Sequence, residues 1–144
     1  MQEQNYKNHS QIVPLYHFVL LGAILALIIG SIFNLIKSCN AGEGLYSASL
    51  ICLIAFIVFL LAWFARGFAL KAQDRAIRAE ENLRHFVLTG KLLDSRLRMG
   101  QIIALRFASN EEFVSLANRA VEEKLSQKEI KQAIQNWKGD YNRV

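Results

Sequence analysis

The sequence predicts an all-α membrane protein: a two-helix transmembrane hairpin, its second helix extended into the cytoplasm, followed by a small bundle of about three short helices. Three observations predict it. Hydrophobic residues make up 53% of the 144 and the mean hydropathy is +0.20, both high for a soluble chain. Two stretches, 8–36 and 44–65, hold 29 and 22 residues without an Asp, Glu, Lys or Arg. From residue 66 onward the chain is charged, rich in helix formers and punctuated by two capping boxes.

The elements follow in order. Residues 1–11 are expected to form a cytoplasmic N-terminal arm, 12–36 the first transmembrane helix, 37–44 an extracytoplasmic turn and 45–68 the second transmembrane helix. Residues 69–90 continue that helix into the cytoplasm, and 91–144 form a cytoplasmic helical module. An uncharged run of ~18 residues or more reads as a span, because ~20 residues at ~1.5 Å rise cross a ~30 Å hydrocarbon core. The first run, "VPLYHFVLLGAILALIIGSIFNLI", is too long for the ~7–15-residue core of a cleaved signal, and no small-x-small site follows it. "IKSC" faintly resembles a lipoprotein cleavage box, but Lys37 sits inside it. Helices buried in a soluble core would keep a polar face, and neither run has one.

Flanking Lys and Arg orient the hairpin, because they are enriched on the cytoplasmic side. Arg66, Lys71, Arg75, Arg78 and Arg84 follow the second span, against Lys37 in the turn and Lys7 in the arm. Both termini are therefore expected in the cytoplasm. Tyr16 and Trp63 suit the inner interface, and Tyr46 the outer one. The five basic residues form a membrane-surface cluster facing anionic lipid, at ~1 kcal/mol each. Gly22, Ala26 and Gly30 make a small-residue stripe on the first helix, and Ala48, Cys52, Ala55 and Ala62 another on the second. Such stripes let backbones approach closely, so these seven are the expected helix-packing interface, within the hairpin or with a partner.

Chemistry finds little to rest on. No charge lies inside either span, which argues against an ion path or proton relay in this chain alone. His9, His17 and His85 each lack a second His at ligand spacing. Cys39, in the expected turn, and Cys52, about two turns into the second helix, lie too far apart to bridge. No nucleophile–base motif, metal-ligand cluster or phosphate-binding loop occurs, so no enzyme activity, cofactor or metal is expected.

The tail divides by charge. Residues 66–106 carry a net +5, whereas 107–144 sum to zero. The neutral distal part disfavours nucleic acid binding, which wants a basic face there. Helix formers and the i, i+4 pairs Asp74–Arg78 and Glu80–Arg84 predict one helix from Leu45 to Thr89, ~67 Å long, stopped by Gly90. Ala69, Ala72, Ala76, Ala79, Leu83 and Phe86 form a narrow stripe on it, the expected seat for the tail helices or for a partner. A helix over about Ser95–Ala108 follows. Capping boxes at Ser109–Glu112 and Ser126–Glu129 open two more, the last stopped by Gly139. Arg106 is expected to pair with Glu111 or Glu112, or to meet lipid phosphate or a partner's carboxylate. Trp137 is expected to close the small core or to anchor an interface. Both are candidate partner contacts. A module this small is marginal alone and should lean on the long helix or on a partner.

With the start "NHSQIVP", the stretches "QIIALRFAS" and "EIKQAIQNW" give the chain, over nearly its whole length, a resemblance to a bacterial family of small two-span membrane proteins of unknown function. The resemblance implies the same architecture in a bacterial inner membrane, and it supplies no catalytic or binding residues. Members are sometimes labelled transporter permeases. The expected function is an accessory, scaffold or assembly subunit of a larger membrane complex or homo-oligomer, with the lipid bilayer and other membrane subunits as partners. The alternatives are a transport or permease component and a membrane-tethered regulator binding nucleic acid through the tail.

Overall fold

A computed structural model describes residues 4–8 and 12–140. His9, Ser10 and Gln11, part of the family-like start, lie outside the described residues. The described chain is helical, without strands beyond a single bridge, and forms two compact units. One is Ile12–Ala69. The other joins the arm, Met1–Gln11, to the chain from Leu70.

The first unit is a helical hairpin. Pro14 takes the opening position, where its fixed φ (−59°) fits and its missing N–H costs nothing. A π-helical segment, Leu15–Leu20, leads directly into α1, Leu21–Ala41. Nothing in "KSCNA" breaks the helix, so α1 runs past Lys37 and Cys39, both placed in the turn by sequence reasoning. The turn itself is only 42–44, because Gly42 (φ +70°) and Gly44 (φ +67°) adopt the left-handed conformation that reverses the chain. The Gly42 amide donates to Ser38 O at 3.0 Å, and α2 starts at Leu45.

Two helices facing only each other bury one seam. Ile24 and Ser31 of α1 and Ala48 and Ala55 of α2 are buried, and half-buried Ile28, Leu35, Cys52 and Ala62 extend the rows. The spacings alternate four and three, the 3.5-residue repeat of a left-handed helix pair. Tyr16 Oη donates to Ala62 O (3.1 Å), and the Arg66 guanidinium stacks 5.1 Å from the Tyr16 ring. Ser31 returns its hydroxyl proton to Ile28 O (2.8 Å), so no polar group in the seam is orphaned by it. The seam sets branched side chains of α1 on the flat alanine row of α2. Gly22, Ala26 and Gly30 are exposed, and a Cβ added at Gly22 or Gly30 meets nothing within 4 Å. Of the two expected small-residue stripes, only that of α2 packs inside the hairpin.

Helix α2 runs unbroken over Leu45–Thr89 and ends at Gly90 (φ +73°), whose amide donates to Phe86 O at 2.7 Å. By length and composition, Leu15–Ala41 and Leu45–Thr89 are long and apolar enough to cross a membrane.

In the second unit, α3 (Met99–Leu105), α4 (Asn110–Glu122) and α5 (Gln127–Ala133) close a core around Ile102, Leu105, Phe107, Phe113 and Ile130, all fully buried, with Ile77 contributed by α2. Helix α3 is shorter than the expected Ser95–Ala108 for two reasons. Asp94 Oδ1 accepts from Arg96 N (2.9 Å) and Asp94 O from Leu97 N (3.1 Å), which makes a turn where the helix was expected to start. At the other end, Phe107 O and Ser109 N leave helical pairing to bond Lys138 N (2.7 Å) and Asn136 O (3.0 Å).

The hairpin seam yields a stability test. Ala55→Leu overpacks it and should cost about 1–3 kcal/mol, whereas Ala26→Leu on the open face should stay within about 0.5 kcal/mol. Thermal unfolding of the purified full-length chain in mild detergent, followed by far-UV circular dichroism, measures both. Equal losses would mean that the seam is misplaced.

Candidate functional site

Within the second unit, α2 presents two faces. Ile77, Glu81 and His85 are buried, with Arg84 beside them at 11% side-chain exposure. Ala72, Ala76, Ala79, Leu83 and Phe86 are exposed. The alanine stripe is therefore not the seat of the tail helices. They sit on a face carrying an acid, a base and an imidazole, which burial allows because each polar group finds a partner.

Arg84 organises that face. Its Nη1 donates to Glu81 Oε2 (3.1 Å), its Nη2 to Ala108 O (2.7 Å) and its Nε to Asn110 Oδ1 (2.8 Å), while the guanidinium lies 4.2 Å from the Phe113 ring centroid. It belongs to the interior rather than to a membrane-surface cluster, and its acid partner is Glu81 at i−3, not Glu80. Lys71, Arg75 and Arg78 are exposed, and Arg66 is engaged with Tyr16. His85 also has partners: Nδ1 lies 2.7 Å from Lys91 O, and the ring meets Phe113 edge-on at 6.0 Å. Burial raises the Glu81 carboxyl above its ordinary 4.5, with Arg84 opposing the shift.

A second polar locus forms around Arg106. Arg106 is buried, pairs with Asp140 (Nη1–Oδ2 3.2 Å) and stacks 4.7 Å from the Phe107 ring. Its partner is thus Asp140 rather than Glu111 or Glu112. Gln4 of the arm holds the same residue through its backbone, accepting from Asp140 N (2.9 Å) and donating to Asp140 O (3.2 Å). Trp137 is half-buried against Phe107, with centroids 5.1 Å apart, and forms a bridge with Ala108. Arg106 and Trp137, the two candidate partner contacts, are both spent on the unit's own interior.

Two side chains do more than their capping motifs announce. Glu112 closes the expected box on Ser109 N (3.4 Å), and the same carboxylate accepts from Gln135 N (3.1 Å) and Asn136 N (3.0 Å). That clamp ends α5 at Ala133, so Trp137 leaves the helix. Gln101 caps α3 by accepting from Arg98 N (2.7 Å) and donates to Ala120 O (3.2 Å) and Leu125 O (2.8 Å) at the end of α4. The Ser126–Glu129 box forms as expected. Sequence reasoning missed Glu81, Gln101, Asp140 and Gln4. The i, i+3 spacing of Glu81 and Arg84 was a legible signal, and nothing local marks the others.

An open hollow of about 550 Å³ lies between the start of α3 and the α4–α5 loop, rimmed by Arg98, Gln101, Lys124 and Gln127. Among the described residues no group of three His, Cys, Asp or Glu is placed to hold a metal ion, and Cys39 and Cys52 are free thiols. Fold and site together define an all-helical protein with two membrane-length helices and a small helical unit held on the second by a buried ionic cluster. The chain belongs to a family of unknown function, DUF6526, whose family model matches residues 1–144. No curated protein and no solved structure matches it.

The clamp is testable. Glu112→Ala removes three amide hydrogen bonds to a charged acceptor and should destabilise the unit by about 2 kcal/mol. Hydrogen exchange should speed up selectively at Gln135 and Asn136, and unchanged exchange there would exclude the clamp.

Glu81 gives a pH signature. A carboxyl raised in the folded state stabilises the fold as pH falls through that raised value toward 4.5, and the gain is lost as pH rises. Asp94, held down to about 2 by hydrogen bonds from the Arg96 side chain and backbone, acts with the opposite sign. Its contribution cancels when wild type is compared with Glu81→Gln. Wild type should gain stability relative to that variant as pH falls from neutrality toward 4.5, read as the difference between their unfolding temperatures.

Proposed function

We propose that this protein is an integral inner-membrane hairpin of a bacterial cell, acting as an accessory, scaffold or assembly subunit. One observation carries the reading. The hairpin buries four residues and exposes large apolar side chains around the rest of both helices, among them Leu25 (59%), Phe33 (69%), Phe56 (56%) and Leu61 (64%). Water would not tolerate so continuous an apolar surface, and lipid or a neighbouring subunit satisfies it.

Both termini on the cytoplasmic side follow from two supports. The basic excess lies after the second span. The arm residue Gln4 is hydrogen-bonded to Asp140, and two segments that touch share a compartment. The scaffold role draws on the second unit, whose buried polar side chains are committed to holding its own helices together, and on the open faces of both long helices.

Alkaline carbonate extraction should leave the full-length chain in the membrane pellet. A fluorescent reporter fused after Val144 should light up, and alkaline phosphatase fused there should stay inactive. Purification in a gentle detergent should recover an assembly larger than one 16.4 kDa chain. Quantitative recovery of a monomer would overturn the assembly role.

A further inference from the structure

The face of α2 that the second unit leaves open has the pattern of a coiled-coil seam. Ala72, Ala76, Ala79, Leu83 and Phe86 recur at spacings of four, three, four and three. They lie roughly opposite Ile77, Glu81 and His85, on which the tail helices sit, so the unit's own fold leaves the seam uncovered. Leu83 is 63% and Phe86 50% exposed, and Val87 beside them is 75% exposed. The register is also that of an interface already formed, because the seven-residue step Ala48, Ala55, Ala62 of the hairpin seam recurs along the sequence as Ala69, Ala76 and Leu83.

Charge names the occupant. With Ala76 and Leu83 at one core position and Ala72, Ala79 and Phe86 at the other, Arg75 and Glu80 flank the seam, five residues apart. In a parallel pair of identical helices, that spacing sets the first residue of each chain against the second of its neighbour. Among the described residues neither Arg75 nor Glu80 has an ion-pair partner within the chain. An antiparallel pair would set like flanks against each other and lose both bridges.

We propose that this face binds a second copy of the chain as a short parallel coiled coil, two Arg75–Glu80 bridges flanking an alanine-rich seam. The parallel direction rests on the membrane reading as well as on the charges, since two copies inserted the same way present parallel helices. The seam spans about two heptads, ~21 Å at ~1.5 Å per residue, which is short for a soluble dimer. Confinement of both copies to one membrane raises their effective concentration enough for a short seam to serve.

Cysteine cross-linking tests this in the full-length protein in membranes, with Cys39→Ser and Cys52→Ser as background. On mild oxidation, Ala76→Cys and Leu83→Cys should run mostly at twice the chain's mass, since seam positions bring Cα atoms within disulfide reach. Arg78→Cys, off the seam, should stay monomeric. Arg75→Glu and Glu80→Arg should each weaken dimerisation about tenfold, and the double swap should restore it. Monomer at positions 76 and 83, adducts of another mass, equal cross-linking at 78, or no rescue by the double swap would each overturn the proposal. Carbonate extraction of the same samples keeps the two readings apart. A chain that is extracted yet cross-links at 76 sinks the membrane reading alone, and a chain that resists extraction without cross-linking sinks the dimer alone.

Discussion

One guanidinium fixes how the C-terminal helices seat on α2. Arg84 reaches Glu81 on its own helix, the Ala108 carbonyl between α3 and α4, Asn110 at the start of α4 and the face of Phe113 in the core. Burying an ion pair costs several kcal/mol of desolvation per charge, which its Coulombic attraction only roughly offsets, and the raised Glu81 carboxyl is a trace of that cost. The contribution of the cluster is geometric. A helix bearing Ile77 alone would let the tail helices slide or rotate over it. A rigid planar fork with three fixed acceptors allows one register.

That choice decides what the opposite side of α2 does. A helix of this composition would ordinarily bury its apolar stripe and wet its charged one. Here a stripe of Ile77, Glu81, Arg84 and His85 is inside and the alanines are outside. The same helix uses a small-residue row in the hairpin, where Ala48 and Ala55 are buried beneath α1. Small side chains do two jobs along one element: they admit a neighbouring helix closely in the hairpin, and beyond it they stay open.

Much of the fold was legible in the sequence, and what was not has physical reasons. The charge-free runs, the uninterrupted α2, the stop at Gly90 and the boxes at Ser109 and Ser126 are local features, and local rules find them. The turn was read eight residues long because Lys37 looked like a boundary, although nothing from Lys37 to Ala41 breaks a helix. The ends of α3 and α5 are fixed by partners distant in sequence: Glu112 takes the amides that would have prolonged α5, and residues 136–138 pair with residues 107–109. The buried face of α2 departs from its apolar stripe because Arg84 pairs with Glu81 at i−3 rather than with Glu80 at i−4, which turns the paired charges inward. Arg106 was assigned the nearest acids, whereas its partner lies thirty-four positions away, at Asp140.

The hydrogen bonds between Gln4 and Asp140 bear on the order in which the molecule forms. They join positions 136 apart. Closing so long a loop from an open chain costs about 4 kcal/mol in entropy, more than two amide hydrogen bonds return at ~1 kcal/mol each. The pair therefore does not form from an open chain, and the arm docks only after other contacts have ordered the tail that receives it. Its docking on Asp140 reports that the helical unit it joins has already formed.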